Sequence, residues 1–253
     1  MKIRSFLSGV GIGVGLLVLT GFAVEAAEVR VITGEAIEPV LEELRPQFES
    51  ATGHKLVIWY GVWGTIKRRI ESGEAFDLAL IPNLNFFIKQ GKIAAGTRTE
   101  IGRVGMGVFV RAGAPRPDIS SVETLKQALL DANGVAYTPT GTVGIHVAKV
   151  FERLGIAEQM KPKTKPQQGI DGVFAAVGEG KADLGIGLAT RIAPEVEYLG
   201  PLPSEVQGYN EFTAGVGTAA RQPEAAQALI RFLVSPSAVA VIKTKGMEPA
   251  NPR

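Results

Sequence analysis

The chain has 253 residues, 45% of them hydrophobic, and a formal net charge of only +2. A charge this close to zero argues against a nucleic-acid-binding protein, which would carry a strong basic excess. Because the sequence has no cysteine, disulfides, thiolate metal sites, a cysteine nucleophile and a lipid-modified N-terminal cysteine are excluded.

The N-terminus has the three-part pattern of a secretory signal peptide. Two basic residues precede an uncharged apolar stretch, and compact residues at Val24 and Ala26 suit signal peptidase. We therefore expect residues 1–26 to be a signal peptide, cleaved after Ala26 or Ala27, and the mature protein to be free in an exported compartment. An uncleaved membrane anchor is the alternative, although the glycines in the stretch weaken a permanent helix.

Strands and helices alternate along the first part of the mature chain. Short runs rich in β-branched residues alternate with segments of helical hydrophobic spacing, which predicts a mainly parallel sheet with helices on both faces. The predicted strands are "EVRVIT" (28–33), "KLVIWYG" (55–61) and "FDLALIP" (76–82). The fold class is therefore predicted to be α/β.

The helix predicted at 37–53 has the clearest helical pattern. Its apolar residues recur at helical spacing, and Gly53 is a typical helix stop. Pro46, in its interior, is expected to kink it.

Two segments far apart in the chain follow the same plan. "IESGEAFDLALIP" (70–82) and "VGEGKADLGIGLA" (177–189) each end a helix at glycine, turn, and open a strand with Asp-Leu. We expect Asp77 and Asp183 to cap these turns rather than to act as a catalytic pair. The similarity suggests two lobes that are built alike.

Two extended segments, 103–118 and 209–223, bracket the central part of the chain. This arrangement predicts one lobe inserted into another, with two crossings between them. Lobe one is expected to comprise residues 27–111 plus 211–253, and lobe two residues 112–210, with a hinge near 110–112 and 210–212. The C-terminal stretch supplies two helices that complete lobe one, each beginning at a proline.

The sequence offers no recognisable catalytic machinery. It contains two histidines, His54 and His146, but no nucleophile elbow and no metal-ligand spacing. We therefore expect a protein that is not an enzyme and that carries no cofactor or metal.

Five strand-to-helix turns are rich in small or hydroxyl residues: 33–36, 61–65, 137–144, 168–172 and 188–191. In open α/β sheets, ligands bind at such turns, where free N–H groups and the helix dipole favour negative charge. The candidate ligand-binding residues are Thr33, Gly34, Glu35, Ala36, Val62, Trp63, Gly64, Thr65, Thr140, Thr142, Gly144, Ile170, Asp171, Leu188 and Arg191. Two alternatives stay open: the threonines as turn and cap residues, and Arg191 as a surface side chain.

The mature chain resembles the periplasmic solute-binding proteins of ABC importers, and most closely their molybdate-binding family. The resemblance lies in "LEELRPQFESATGHKLVIWYG", "PEAAQALIRFLVSPSAVAVI" and the ending "KGMEPA". It implies two α/β lobes of the type II-like arrangement, which close over a ligand held by backbone amides and hydroxyls. It also implies an inner-membrane ABC permease as partner; we expect a monomer that binds no nucleic acid.

The chain departs from that family at three side-chain donors. Ala36 and the pair Trp63-Gly64 stand where members tend to have serines, and Leu188 stands where they often have tyrosine. Each lost partner costs a buried oxyanion about 1–3 kcal/mol. We therefore expect a small anion, a molybdate-like oxyanion in the first instance. The alternatives are a small organic acid that stacks on Trp63 and pairs with Arg191, and a ligand sensor for a membrane receptor.

The position of Trp63 has a simpler alternative reading. In this alternative, the ring of Trp63 packs between the lobes or covers the start of the helix, and it does not touch a ligand.

Overall fold

The computed structural model describes residues 26–250. The predicted signal peptide therefore lies outside the described residues, apart from Ala26. Nine α-helices are described: α1 Glu38–Thr52, α2 Trp63–Glu71, α3 Leu84–Lys89, α4 Val122–Asp131, α5 Gly141–Arg153, α6 Ala157–Met160, α7 Gly169–Gly178, α8 Pro223–Leu233 and α9 Pro236–Thr244. Ten strands are described: β1 Glu28–Gly34, β2 Lys55–Gly61, β3 Leu78–Ile81, β4 Thr99–Arg111, β5 Val135–Tyr137, β6 Thr164–Pro166, β7 Leu184–Leu188, β8 Val196–Pro201, β9 Tyr209–Val216 and β10 Glu248–Pro249.

The strands form a mixed sheet whose path runs β2-β1-β3-β9-β4-β7-β5-β6. In the first lobe, β1 lies parallel to β2 and β3. In the second lobe, β5 lies parallel to β6 and β7. The α/β prediction is thus confirmed, and the antiparallel pairings involve the strands that connect the lobes.

Strand β4 passes from one lobe into the other. It pairs with β9 up to Gly105, and from Met106 onward it pairs with β7 and β8. The Gln207 side chain bonds both the N–H and the C=O of Met106, each at 3.0 Å. The sheet pairing therefore changes at 105–106, earlier in the chain than the predicted crossing at 111, while the lobe boundaries themselves stay a prediction.

Helix α1 packs its apolar face into the core as the spacing predicts, with Val40, Leu41, Leu44 and Phe48 buried. The expected kink at Pro46 is not seen as a break, because the helix runs on to Thr52. Pro46 is exposed, so the carbonyl that loses its partner faces solvent and water can satisfy it.

The repeated helix-turn-strand plan is present in both lobes. After α2, Gly73 takes a positive φ of 83° and Asp77 precedes β3; after α7, Gly180 takes a φ of 74° and Asp183 precedes β7. The Asp77 carboxylate accepts bonds from the N–H groups of Arg30, Arg221 and Gln222, at 2.7–2.9 Å. The structural reading of these aspartates is supported, because Asp77 joins β1 to the start of α8.

Among residues 26–250, no single helix is long and apolar enough to cross a bilayer. Helices α8 and α9 reach that length and apolarity only as a pair, and they bend by 64° at the break between them.

Candidate functional site

A cavity of about 120 Å³ lies between the two lobes. It is bounded by the carboxyl ends of β1, β2 and β7 and by the segments that follow β3 and β5. A single water needs only about 10–15 Å³ of such volume. The cavity therefore has room for a small solute.

Four helix starts point at this cavity. They are the 3-10 turn Glu35–Ile37, preceded by Gly34, and helices α2, α5 and α7, preceded by Val62, Thr140 and Gln168. No side chain caps any of the four. Helices α1, α3, α6 and α8 also lack a side-chain cap, whereas α4 and α9 are capped by serine hydroxyls. What distinguishes the four is that they meet at one cavity, where free N–H groups and the positive ends of helix dipoles can bind negative charge.

The lobes approach each other closely at two glycines of the cavity wall. A Cβ on Gly141, the first residue of α5, would lie 3.4 Å from Cβ of Trp63. A Cβ on Gly169, the first residue of α7, would lie 3.0 Å from Oε2 of Glu35. Both glycines have positive φ, 72° and 67°, so the second lobe brings bare backbone against side chains of the first.

Trp63 combines both roles that its sequence position suggested. Trp63 lines the cavity. Its ring also packs against Phe86 and Phe87, with centroid distances of 6.4 and 5.8 Å. The indole is therefore a fixed wall held by an aromatic cluster of the first lobe.

Among the described residues that line the cavity, Arg191 is the only cation. Its Nη2 donates a hydrogen bond to Oδ1 of Asp171, and the two side chains are 38% and 76% exposed. The guanidinium of Arg191 thus lies at the cavity, and one of its N–H groups is bonded to Asp171, which does not line the cavity. An arginine in that position can offer its remaining N–H groups to a carboxylate.

Glu35 is the acid in the cavity wall. Burial raises the pKa of its carboxyl above the ordinary range; Asp171 and Glu38 raise it further, and Arg191 opposes them. No hydrogen bond from the described residues stabilises the charged form. A half-buried carboxyl in this environment holds its proton to higher pH than a surface glutamate.

Threonine and asparagine supply the other polar groups. The Thr142 hydroxyl donates to Oδ1 of the buried Asn210, which links α5 to β9. The Thr138 hydroxyl donates to the carbonyl of Gly169 at 3.2 Å. Thr140 and the buried Thr190 also line the cavity, so two hydroxyls remain available to a ligand.

Ten of the fifteen predicted ligand-binding residues line this cavity: Gly34, Glu35, Ala36, Val62, Trp63, Thr140, Thr142, Ile170, Leu188 and Arg191.

Three others, Thr33, Gly64 and Thr65, do not line the cavity. Thr33 is fully buried, and its hydroxyl donates to the carbonyl of Leu80 at 2.6 Å. Gly64 faces open space, and Thr65 accepts a bond from Arg68 at 3.3 Å on the exposed side of α2.

The remaining two serve structural contacts. Gly144 is buried against the backbone of Pro139, and Asp171 is exposed and holds Arg191 from outside the cavity. None of the five lines the cavity, and their contact with a ligand stays a prediction.

Twelve further residues line the cavity without being among the predicted contacts. They are Gly61, Ile66, Pro82, Thr138, Gly141, Val143, Gly169, Ile186, Gly187, Thr190, Asn210 and Phe212. Six of them lie within the predicted turns, and Ile66, Ile186 and Gly187 extend those turns by one or two residues. Asn210 had no clear signal in the sequence, because β9 also carries Glu211 and Thr213 and only the fold shows its burial beside Thr142.

Replacing Gly144 with Ala is expected to lower the free energy of unfolding by about 2–3 kcal/mol. The new Cβ would lie 1.9 Å from the carbonyl oxygen of Pro139, so the start of α5 must move. Gly64→Ala is the matched control in α2: it meets no atom within 4 Å and should raise stability by about 0.5–1 kcal/mol. Urea unfolding checks both values, and equal stability of the two variants would contradict the packing described for α5.

Within residues 26–250, no three acidic or histidine side chains cluster in a way that could hold a metal ion. The charged, amide and hydroxyl side chains that line the cavity are Glu35, Arg191, Asn210, Thr138, Thr140, Thr142 and Thr190.

Known proteins share this architecture and much of the sequence. The family model of the bacterial extracellular solute-binding proteins matches residues 29–248. Two curated relatives align over 94% of this chain and 95% of their own length: an aconitate isomerase of Pseudomonas sp., 27% identical, and a molybdate-binding protein of Azotobacter vinelandii, 28% identical.

The fold has a solved counterpart. The structure of the periplasmic molybdate-binding protein of Azotobacter vinelandii superposes with a TM-score of 0.73, at 20% identity, over 89% of this chain and 100% of that one. The two-lobed fold is therefore that of periplasmic binding proteins. The family match covers most of the sequence, and the chain belongs to the bacterial extracellular solute-binding proteins.

Proposed function

We propose that this protein captures a small organic anion in the cavity between its lobes and delivers it to the membrane permease of an ABC importer. The observation that carries this proposal is the convergence of four uncapped helix starts on one cavity. Their amides and dipoles bind the negative group, and Arg191 adds a charge-assisted bond.

The cavity wall favours an organic acid over the molybdate-like oxyanion that ranked first on sequence. A tetrahedral dianion needs donors on every side, yet Leu188, Phe212 and Ile170 present hydrocarbon. The carboxyl of Glu35 adds a negative charge at the wall whenever it ionises. An organic acid can place its carboxylates at the amides and Arg191 and its carbon skeleton against the apolar residues, so it suits both parts of this lining.

The relatives support the same class of solute. A chain of this family that is 27% identical over almost the full length is named for an organic acid, aconitate. The molybdate-binding relative is equally similar in identity, so the oxyanion remains the competing ligand in the test.

Capture requires the lobes to move, and the fold has two connecting strands for that motion. We place the hinge where β4 leaves β9 at 105–106 and where the chain returns at the start of β9. The lobes close over the solute as rigid bodies. Residues 106–111 move with lobe two, because they pair with β7 and β8, although the bounds expected from the sequence, 27–111 plus 211–253 and 112–210, put them in lobe one.

A thermal-shift screen tests this proposal. One set of ligands holds molybdate, tungstate, sulfate and phosphate, and the other holds small carboxylates and aromatic acids. A ligand present at about a hundred times its Kd adds ~2.7 kcal/mol of stability, which raises the Tm of a chain this size by about 5 to 10 °C. We expect such shifts from the organic set, and shifts from the oxyanions alone would contradict the proposed ligand class.

Replacing Trp63 with Ala is expected to change which ligands raise the Tm, because the indole is a wall of the cavity. Phe86→Ala is the matched control: Phe86 packs on the Trp63 ring but does not line the cavity. Both variants should lower the Tm without ligand, since each leaves a gap in the aromatic cluster. An unchanged ranking of ligands in Trp63→Ala would show that its ring serves packing alone.

A second candidate function is isomerisation of an unsaturated organic acid by a proton shift, the class of reaction named for the Pseudomonas relative. The observation that favours it is Glu35, a cavity-wall carboxyl whose pKa is raised by burial and therefore suits proton transfer. Proton NMR of cis- or trans-aconitate incubated with the protein in heavy water would show deuterium incorporation and conversion. Recovery of unchanged aconitate without deuterium would contradict the isomerase function and leave only the proposed binding role.

A further inference from the structure

Glu35 lies where the first lobe meets the anion-binding helix starts of the second. It is the first residue of the turn after β1, and it lines the cavity. Its Oε2 would be 3.0 Å from a Cβ on Gly169, the first residue of α7. A carboxyl oxygen of Glu35 is thus close to the N-terminus of α7, which is one of the helix starts proposed to bind the ligand.

The charges that face Glu35 come from three elements. Glu38 lies at the start of α1, Asp171 in the first turn of α7, and Arg191 in the segment after β7. Arg191 is already bonded to Asp171. Glu35 therefore faces two acids and one cation, and that cation is paired with one of the two acids.

An anion that enters this cavity adds another negative charge beside Glu35. Two adjacent unpaired anions in a half-buried site repel each other, and the cost falls when one of them takes a proton. A protonated Glu35 also becomes a donor, able to give an O–H···O⁻ bond to the ligand.

We propose that Glu35 binds the captured anion in its protonated form, so that ligand capture takes up one proton from solvent. This inference rests on the proposed function, because it needs an anion in the cavity. The proton moves from water or buffer to a carboxylate oxygen of Glu35 and is released when the ligand leaves. Capture therefore weakens as pH rises above the pKa that Glu35 has in the free protein, by at most about tenfold per pH unit.

Calorimetric titration of the purified protein in buffers of different ionisation enthalpy counts that proton. The probes are fumarate, tricarballylate and molybdate, used at about pH 7.5, above the ordinary pKa of a glutamate. We expect uptake of close to one proton per ligand bound. Glu35→Gln, which keeps a donor but cannot ionise, should show no uptake and an affinity that is flat between about pH 6 and 8.

Two further measurements test the role of Glu35: proton uptake by a control variant, and thermal melting without ligand. Glu38→Gln is the matched control, since Glu38 faces Glu35 without lining the cavity, and it should retain the proton uptake. Without ligand, the raised pKa of Glu35 stabilises the folded protein only while the carboxyl is protonated, so this stabilisation is lost as pH rises through the folded pKa. Glu35→Gln should therefore melt above the wild type at neutral pH and equal it below about pH 4.

The outcomes separate the two proposals. Binding of a probe without proton uptake, or uptake that persists in Glu35→Gln, overturns the role of Glu35 and leaves the proposed function standing. No binding of any organic or inorganic probe overturns the proposed function itself.

Discussion

Replacing Arg191 with Gln is expected to weaken binding of the organic anion by about tenfold to a hundredfold. A hydrogen bond to a charged partner contributes ~1.5–3 kcal/mol, and each 1.4 kcal/mol is about tenfold in Kd. The lower part of that range applies if the guanidinium stays as exposed as it is here, at 38%. Titration of wild type and variant with the same carboxylate measures the ratio of their Kd values.

Asp171→Asn is the matched control for Arg191. The aspartate bonds the same guanidinium from outside the cavity, so its neutralisation leaves more of the positive charge to the ligand. We expect the affinity of Asp171→Asn to equal or exceed that of the wild type. Unchanged affinity in Arg191→Gln would instead favour the surface role that the sequence left open for this arginine.

Replacing Asp77 with Ala is expected to lower the free energy of unfolding by about 3 kcal/mol. Three backbone N–H groups lose their acceptor at once, and each unsatisfied group costs ~1–3 kcal/mol where it is shielded from water. For a chain of this length the loss lowers Tm by about 6 to 12 °C. Chemical denaturation followed by circular dichroism gives the value.

Asp183→Ala is the control from the other lobe, at the equivalent place in the repeated plan. Its carboxylate bonds only the backbone and side-chain N–H groups of Asn133, both in an exposed position. Water can replace these bonds, so the variant should lose about 1 kcal/mol or less. A larger loss in Asp183→Ala than in Asp77→Ala would contradict the role given to Asp77 in joining β1 to α8.

The order of strands and helices follows closely from the sequence because local signals define each boundary. Gly53 ends α1 in the left-handed conformation, with φ 75°, and Gly73 and Gly180 repeat that signal before β3 and β7. Pro46 does not end α1, which runs on to Thr52, and a bend of the helix axis at this proline stays a prediction.

The site was harder to predict, since a turn shows which residues come near a ligand but not which way they point. Thr33 and Glu35 are close in sequence, yet the hydroxyl of Thr33 turns inward to Leu80 while Glu35 reaches the cavity. Gly144 looked like a place for close approach of a ligand, and the approaching group is the backbone of Pro139. Asn210 comes from a strand far along the chain, so no local pattern joins it to Thr142.

We propose that an organic anion sits between the lobes with its charge at the uncapped helix starts, and a crystal structure with the carboxylate that gives the largest thermal shift tests this placement. We expect density for the carboxylate within hydrogen-bond distance of the first amides of α5 and α7 and of Arg191, with the hydrocarbon against Trp63. Density at the separate groove beside Lys89 and Arg98, or a tetrahedral oxyanion in the cavity with no room for an acid, would contradict it.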